Sequence, residues 1–465
     1  MRFLILLALC ACAVSAQPAL TVEPTTFETA DGRTVAAEVG RFSVPENRAR
    51  PDGRTIELAF VRFASTNPNP GPPIVYLAGG PGGSGSGTAR GSRFDLFQDL
   101  RAVADVIAFD QRGTGLSNRL PGCPHTADLP VAVPTTRAAF DAAYADLTRA
   151  CESYWRRAGV DLAAYTTAES ADDLEALRRA LGADQISLWA ISYGTHLALA
   201  AIRRHPASIA RAVLAGVEGP DHTIKRPSDQ QALLEEIDRI VRADDPGATF
   251  LADIETVLDR LRERPVTAEV GSGVEAVTVG ISAFDVQRLA AGMLGSPEWS
   301  MQLPAVFAAM RDGDFSTVAP TLAWFKADRG LGGAMSMAMD AASGASLVRR
   351  AELAREARET LLGNAIAATE HATFPAWRTP RLGPDFRAPV VSDVPALFIS
   401  GTLDGRTPVR NADEVRPGFS RHAHLVIDGA GHSDPLFLGS PIIGERIRAF
   451  LAGEPVASET IPMAE

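Results

Sequence analysis

The chain has 465 residues, 46% of them hydrophobic and 22% charged, with a formal net charge of −11. That length suits a main domain carrying a large insertion, and the composition excludes a disordered or fibrous chain. The negative balance argues against non-specific nucleic-acid binding and supplies no attraction to an anionic membrane surface.

The amino end reads as an export signal over residues 1–16. Arg2 gives a minimal positive region, Phe3 to Val14 is apolar, and Val14-Ser15-Ala16 offers small residues for cleavage. The run is too short to span a bilayer. Leu9-Cys10-Ala11-Cys12 weakly resembles a lipobox, so anchoring through Cys12 is the alternative. The mature protein is expected to be secreted or periplasmic, with no integral membrane segment. Two of the four cysteines, Cys10 and Cys12, fall in the signal. In an exported protein the other two, Cys123 and Cys151, most simply pair, adding roughly 3–4 kcal/mol by closing the loop in the unfolded chain. Two unpaired buried thiols are the competing reading.

Thr34 to Phe42 and Thr55 to Ala64 alternate like strands around the turn-forming Pro51-Asp52-Gly53, which predicts an antiparallel pair. Short apolar runs then alternate with amphipathic helices. The runs are Ile74 to Leu77, Val106 to Phe109, Ile186 to Ile191 and Ala212 to Ala215. This pattern calls for a parallel sheet covered on both faces. From about 221 to 389 the sequence is mostly helical, as in Gln231 to Arg242, Phe250 to Arg262 and Leu347 to Leu362. Strands resume at Ala396 to Ser400 and His424 to Ile427, followed by a helix from Ile443 to Leu451. The expected organisation is a core over 17–220 and 390–465, interrupted by a helical cap over 221–389. A loose tail is expected after Gly453.

Four strand ends carry the chemistry. Ala190-Ile191-Ser192-Tyr193-Gly194 lies between a strand and a helix-like run, the setting of a nucleophile elbow, with Ala190 in place of the usual first glycine. Ala78-Gly79-Gly80-Pro81-Gly82-Gly83-Ser84-Gly85 follows the first parallel strand. Glycines there let backbone approach a substrate carbonyl, so Gly80 and Tyr193 N–H groups are the expected oxyanion donors. Asp404 and His432 each follow a later strand, completing the order Ser, Asp, His of the α/β-hydrolase fold. Each residue alone has a bland reading: a strand end, a turn-shaping acid, a surface histidine. The order of all four decides for a Ser192–Asp404–His432 triad.

Rival readings fall away. A P-loop needs Lys-Ser/Thr, which is absent here. Gly80 to Gly85 does spell a dinucleotide fingerprint, with Asp110 ending the next strand, but Gly83 to Gly87 is a poor helix opening. No metal-ligand spacing occurs, so neither metal nor cofactor is expected.

Gly79-Gly80-Pro81-Gly82, Asp110-Gln111-Arg112-Gly113-Thr114-Gly115-Leu116-Ser117, Ser192-Tyr193-Gly194 and Gly401-Thr402-Leu403-Asp404-Gly405-Arg406-Thr407-Pro408 together resemble the prolyl and tripeptidyl aminopeptidase family of α/β-hydrolases. The resemblance covers most of 70–220 and 385–450. It implies a serine exopeptidase acting at the free amino end of short peptides, with Asp110 and Arg112 structural. Such an enzyme needs acids for the substrate ammonium. Glu218, Asp340 and Glu298 are the candidates, each with the alternative of an ordinary solvated side chain. Met335 to Ser346 faintly resembles a family cap segment in which an acid follows a cysteine. Asp340 is present but the cysteine is not, and Phe374-Pro375-Ala376-Trp377 also lacks one, so a cap disulfide is not expected. A carboxylesterase with the same triad, and a non-catalytic ligand-binding protein on the same scaffold, remain the competing functions.

Overall fold

The computed structural model describes residues 19–273, 276–327 and 329–464. The expected export signal at 1–16 and the alternative at Cys12 lie outside the described residues.

Ten strands make one sheet, in the spatial order β1-β2-β3-β5-β4-β6-β7-β10-β11-β12. β1 (Leu20–Glu28), β2 (Thr34–Pro45) and β3 (Thr55–Phe63) run antiparallel, and β3 pairs antiparallel with β5 (Val106–Asp110). From β5 onward every neighbour is parallel: β4 (Ile74–Leu77), β6 (Ile186–Ser192), β7 (Ile209–Val217), β10 (Ala396–Gly401), β11 (His422–Asp428) and β12 (Glu459–Pro462). The central parallel strands read as nearly unbroken apolar runs because both their faces are buried. In β6, Leu188 and Ala190 join one core cluster while Trp189 and Ile191 join the other. Helices Arg137–Arg157, Thr167–Ala180 and Tyr193–Arg204 cover the first face; Phe94–Asp99 and Pro441–Ala452 cover the second.

Two expectations need correcting at the sheet edges. β1 adds a strand that its Pro24 and its largely exposed side chains disguise, since proline is tolerated only on an edge. The tail after Gly453 is not loose: Glu459–Pro462 pairs with Leu425–Asp428 and buries Ile461.

Between β7 and β10 the chain is mostly helical, with its own apolar cluster. It also contains a hairpin the helical expectation omitted, β8 (Val266–Val270) against β9 (Val277–Ile281). The hairpin is tied to the core segment before Arg137. The Gly280 N–H donates to the Val131 carbonyl, and the buried Lys326 ammonium donates to the carbonyls of Val133 and Gly280, each at 2.8–2.9 Å. Cys123 and Cys151 form a disulfide, their Cα atoms 5.4 Å apart.

Candidate active site

Ser192 ends β6 and precedes helix Tyr193–Arg204 with φ 55° and ψ −128°. A non-glycine residue in that region costs of order 1–3 kcal/mol, so the surroundings must hold it there. They do so by close packing. A Cβ on Gly194 would lie 2.2 Å from the Leu77 carbonyl oxygen, and one on Gly79 would lie 2.9 Å from the Ser192 Cβ. β4 therefore presses its glycine loop directly against the serine. Ala190 fits where a glycine is usual, buried and in register with Leu77.

Asp404 and His432 come from the turns after β10 and β11. The His432 Nδ1 lies 2.9 Å from Asp404 Oδ2 and 3.0 Å from the Thr407 hydroxyl. Thr407 Oγ1 in turn donates to Asp404 Oδ2 at 2.7 Å. The other carboxylate oxygen accepts the Arg406 and Thr407 N–H groups, both at 2.8 Å. Burial opposes the charge of Asp404, but the neighbouring imidazole and the Thr407 donors outweigh it and hold its carboxyl down at about 2. An ionised Asp404 fixes the proton of His432 on Nδ1 and leaves Nε2 as the acceptor.

The ring sits beside the strand next to Ser192. A Cβ on Gly216 would be 3.2 Å from His432 Cε1, and the following Val217 is the register partner of Ser192. Behind His432, the buried Arg93 donates to Asp434 at 2.8 Å, to the Ser433 hydroxyl at 3.0 Å and to the Tyr76 hydroxyl at 2.6 Å. Ser192 and His432 line one cavity of about 360 Å³ together with Gly79, Gly80 and Arg406. A groove of about 560 Å³ on the cap, lined by residues such as Trp299, Trp324 and Phe325, contains no titratable group and so no reacting machinery.

The cap lies against this rim. Helix Ala334–Ser343 places Ser336 by Gly82, Met339 on the Tyr193 hydroxyl, and Ser343 on the buried His196. Asp340 on the same helix, Glu218 just after β7, and Glu370 on helix Ala368–Thr373 influence one another's charge. Burial raises the carboxyl of Asp340 well above the ordinary range, and Glu218 and Glu370 add to it. Glu370 is likewise raised by burial, which outweighs its own backbone N–H and the charges of Lys225 and Arg406, with Glu218 adding slightly. Glu218 is the exception: burial works against its charge, yet Lys225, hydrogen-bonded to it, holds its carboxyl below the usual range. Among the described residues no other side chain hydrogen-bonds or ion-pairs with Asp340 or Glu370. Glu298 is not brought into this group; it lies exposed on Pro297–Ser300, where Pro297 packs on Gly431. Sequence reasoning missed Glu370, which lies in plain helical text, and Thr407, whose place three residues after Asp404 was its only signal.

Asp110 and Arg112 serve the frame. The Asp110 carboxylate accepts from the Ser84 and Ser86 hydroxyls and from the Ser86 and Leu116 N–H groups, at 2.6–3.1 Å. It has no capacity left for a ribose, although the glycine–serine stretch does open a short helix, Gly85–Ala89. Arg112, fully buried, forms a two-pronged pair with Asp173 at 2.7 Å on each prong.

Comparison with known proteins agrees with this architecture. Residues 72–265 match the family described as alpha/beta hydrolase fold, and residues 362–457 match the one described as TAP-like protein. The chain has the α/β-hydrolase fold, and its carboxyl-terminal part is similar to the TAP-like family. The chain is 31% identical over 193 residues to a protein named Serine protease Hip1 from Mycobacterium tuberculosis, covering 39% of this chain and 36% of that one. It is also 31% identical over 192 residues to the Tripeptidyl aminopeptidase of Streptomyces lividans, again 39% of this chain and 36% of the relative. The matched stretch thus spans little more than a third of either relative. Among solved structures, a thermophilic esterase from Thermogutta terrifontis aligns over 89% of this chain and 98% of its own, at 18% identity and a TM-score of 0.37.

Proposed function

We propose that this chain is an exported serine exopeptidase that cleaves peptide bonds near the free amino end of short peptides. The observation that carries the reading is the Asp404–Thr407–His432 hydrogen-bond network beside a serine held in a strained strand-to-helix turn. In this reading Ser192 Oγ attacks the scissile carbonyl carbon while His432 Nε2 takes its proton. The N–H groups of Gly80 and Tyr193 stabilise the oxyanion. Collapse of the tetrahedral intermediate breaks the C–N bond, and His432 delivers its proton to the departing amine. Water, deprotonated by the same imidazole, then hydrolyses the acyl-enzyme and restores the Ser192 hydroxyl.

The amino-end preference is supported by the acids at the cap. Glu218 is neutralised by Lys225 in a direct ion pair, whereas the half-buried Asp340 and Glu370 form no ion pair among the described residues and feel Lys225, and for Glu370 also Arg406, only through space. A substrate ammonium supplies that partner. The cap limits access, which favours short chains. The disulfide and the sequence signal at 1–16 support an oxidising, extracytoplasmic location.

A fluorophosphonate should label the wild-type protein and not S192A; a folded protein that refuses the label removes the serine mechanism and favours a binding protein. Hydrolysis of an amino-terminally free peptide should exceed that of its acetylated form by at least tenfold. Equal rates, or turnover of esters alone, would hand the site to the carboxylesterase reading.

A further inference from the structure

Two cations line the cavity that holds Ser192 and His432, and they differ in what they already touch. Arg93 is buried and committed to Asp434, Ser433 and Tyr76. Arg406 is exposed, and among the described residues no side chain forms an ion pair or hydrogen bond with its guanidinium. Its base is nevertheless fixed. The Arg406 N–H donates to Asp404 Oδ1, and the cap turn around Leu294 and Gly295 closes on it: a Cβ on Gly405 would be 2.3 Å from the Leu294 carbonyl oxygen, and one on Gly295 would be 3.4 Å from Arg406 Cδ. Gly405 thus lets the Leu294 carbonyl approach the turn, and Gly295 packs alongside the Arg406 stem. The result is a stem packed against the cap turn, with a charged tip that lines the reaction cavity in no direct ion pair and acts on Glu370 only through space.

The direction in which that tip faces follows from the chemistry. His432 gives its proton to the departing nitrogen, so the leaving peptide lies on the His432 side of the scissile bond. Of the acids that suit a substrate ammonium, Asp340 lies on the helix packed against the Tyr193 hydroxyl and is not among the groups the Arg406 charge acts on, whereas Glu370 feels that charge. A guanidinium fork matches a carboxylate in two parallel hydrogen bonds.

Resting on the exopeptidase reading above, we propose that Arg406 binds a carboxylate carried by the leaving peptide, either its terminal α-carboxylate or an acidic side chain. The enzyme is then selective for peptides charged on both sides of the scissile bond, an ammonium at Asp340 and a carboxylate at Arg406.

Three peptides sharing one amino-terminal sequence test this: one with a free carboxyl terminus, its carboxyl-terminal amide, and an amide carrying Glu in the leaving part. The ratio of kcat/KM for a carboxylate-bearing peptide to that for the plain amide should fall about tenfold in R406Q, with R406K intermediate. An advantage confined to the free acid assigns the α-carboxylate; one confined to the Glu peptide assigns the side chain. A ratio that is the same in wild type and R406Q overturns the proposal. Calorimetric binding of the same peptides to S192A and to S192A/R406Q answers the question without turnover. If the wild type hydrolyses none of the peptides, the exopeptidase reading fails, while loss or retention of carboxylate-dependent binding still decides the role of Arg406.

Discussion

The two walls of the cleft are built on opposite principles. On the sheet side, the groups that orient Asp404 and His432 are partnered: both oxygens of Asp404, the Thr407 hydroxyl, the Nδ1 of His432 and the Arg93 guanidinium behind it. On the cap side, Asp340 and Glu370 stand close together with raised carboxyls. A satisfied network fixes geometry before substrate arrives, which is what proton transfer requires. An unsatisfied one is a cost to the folded state that a ligand of opposite charge can relieve. The first wall reads as machinery and the second as recognition.

Substitutions separate the walls. D404N should lower kcat by about 10⁴-fold with KM little changed, because an amide favours the wrong tautomer of His432. A loss in KM alone would break the distinction. T407V removes the hydroxyl that bridges Asp404 and His432. Hydrogen bonds to charged groups are worth about 1.5–3 kcal/mol, so kcat should fall roughly 10- to 100-fold, again at constant KM. D340N should do the reverse, raising KM about tenfold for free-amine peptides and sparing kcat, since one charge-assisted contact in the bound complex is lost. Steady-state kinetics on one peptide reads all three.

The same contrast governs what the sequence disclosed. Tight turns at strand ends admit few residue types, so Ser192, Asp404 and His432 stood out together with the glycines that let backbone pack on them. Parallel strands were equally plain because burial on both faces leaves unbroken apolar runs. Edge strands were not: β1 shows little apolar patterning, and β12 is only four residues long. Recognition in the cap was half legible. Asp340 drew notice through a family likeness, whereas Glu370 acquires its meaning only when helix Ala368–Thr373 packs beside helix Ala334–Ser343, which carries Asp340. No local spacing encodes that approach.

The sharpest test of the recognition wall uses pH. Asp340 has its carboxyl raised by burial and by the charges of Glu218 and Glu370. A substrate ammonium prefers the ionised carboxylate, so KM for free-amine peptides should fall as pH rises through that raised value, and the slope should be lost in D340N. Stability must run the other way. A carboxyl that ionises less readily folded than unfolded leaves the native state at full stability below its unfolded value of about 4, and costs stability progressively as pH rises from there. D340N removes that cost, so the variant should melt at a higher temperature than wild type at neutral pH. The gap should narrow on acidification and close near about pH 4. A variant that binds worse and also melts lower at neutral pH would mean that Asp340 is an ordinary structural acid, and the cap would lose its claim to the substrate's amino end.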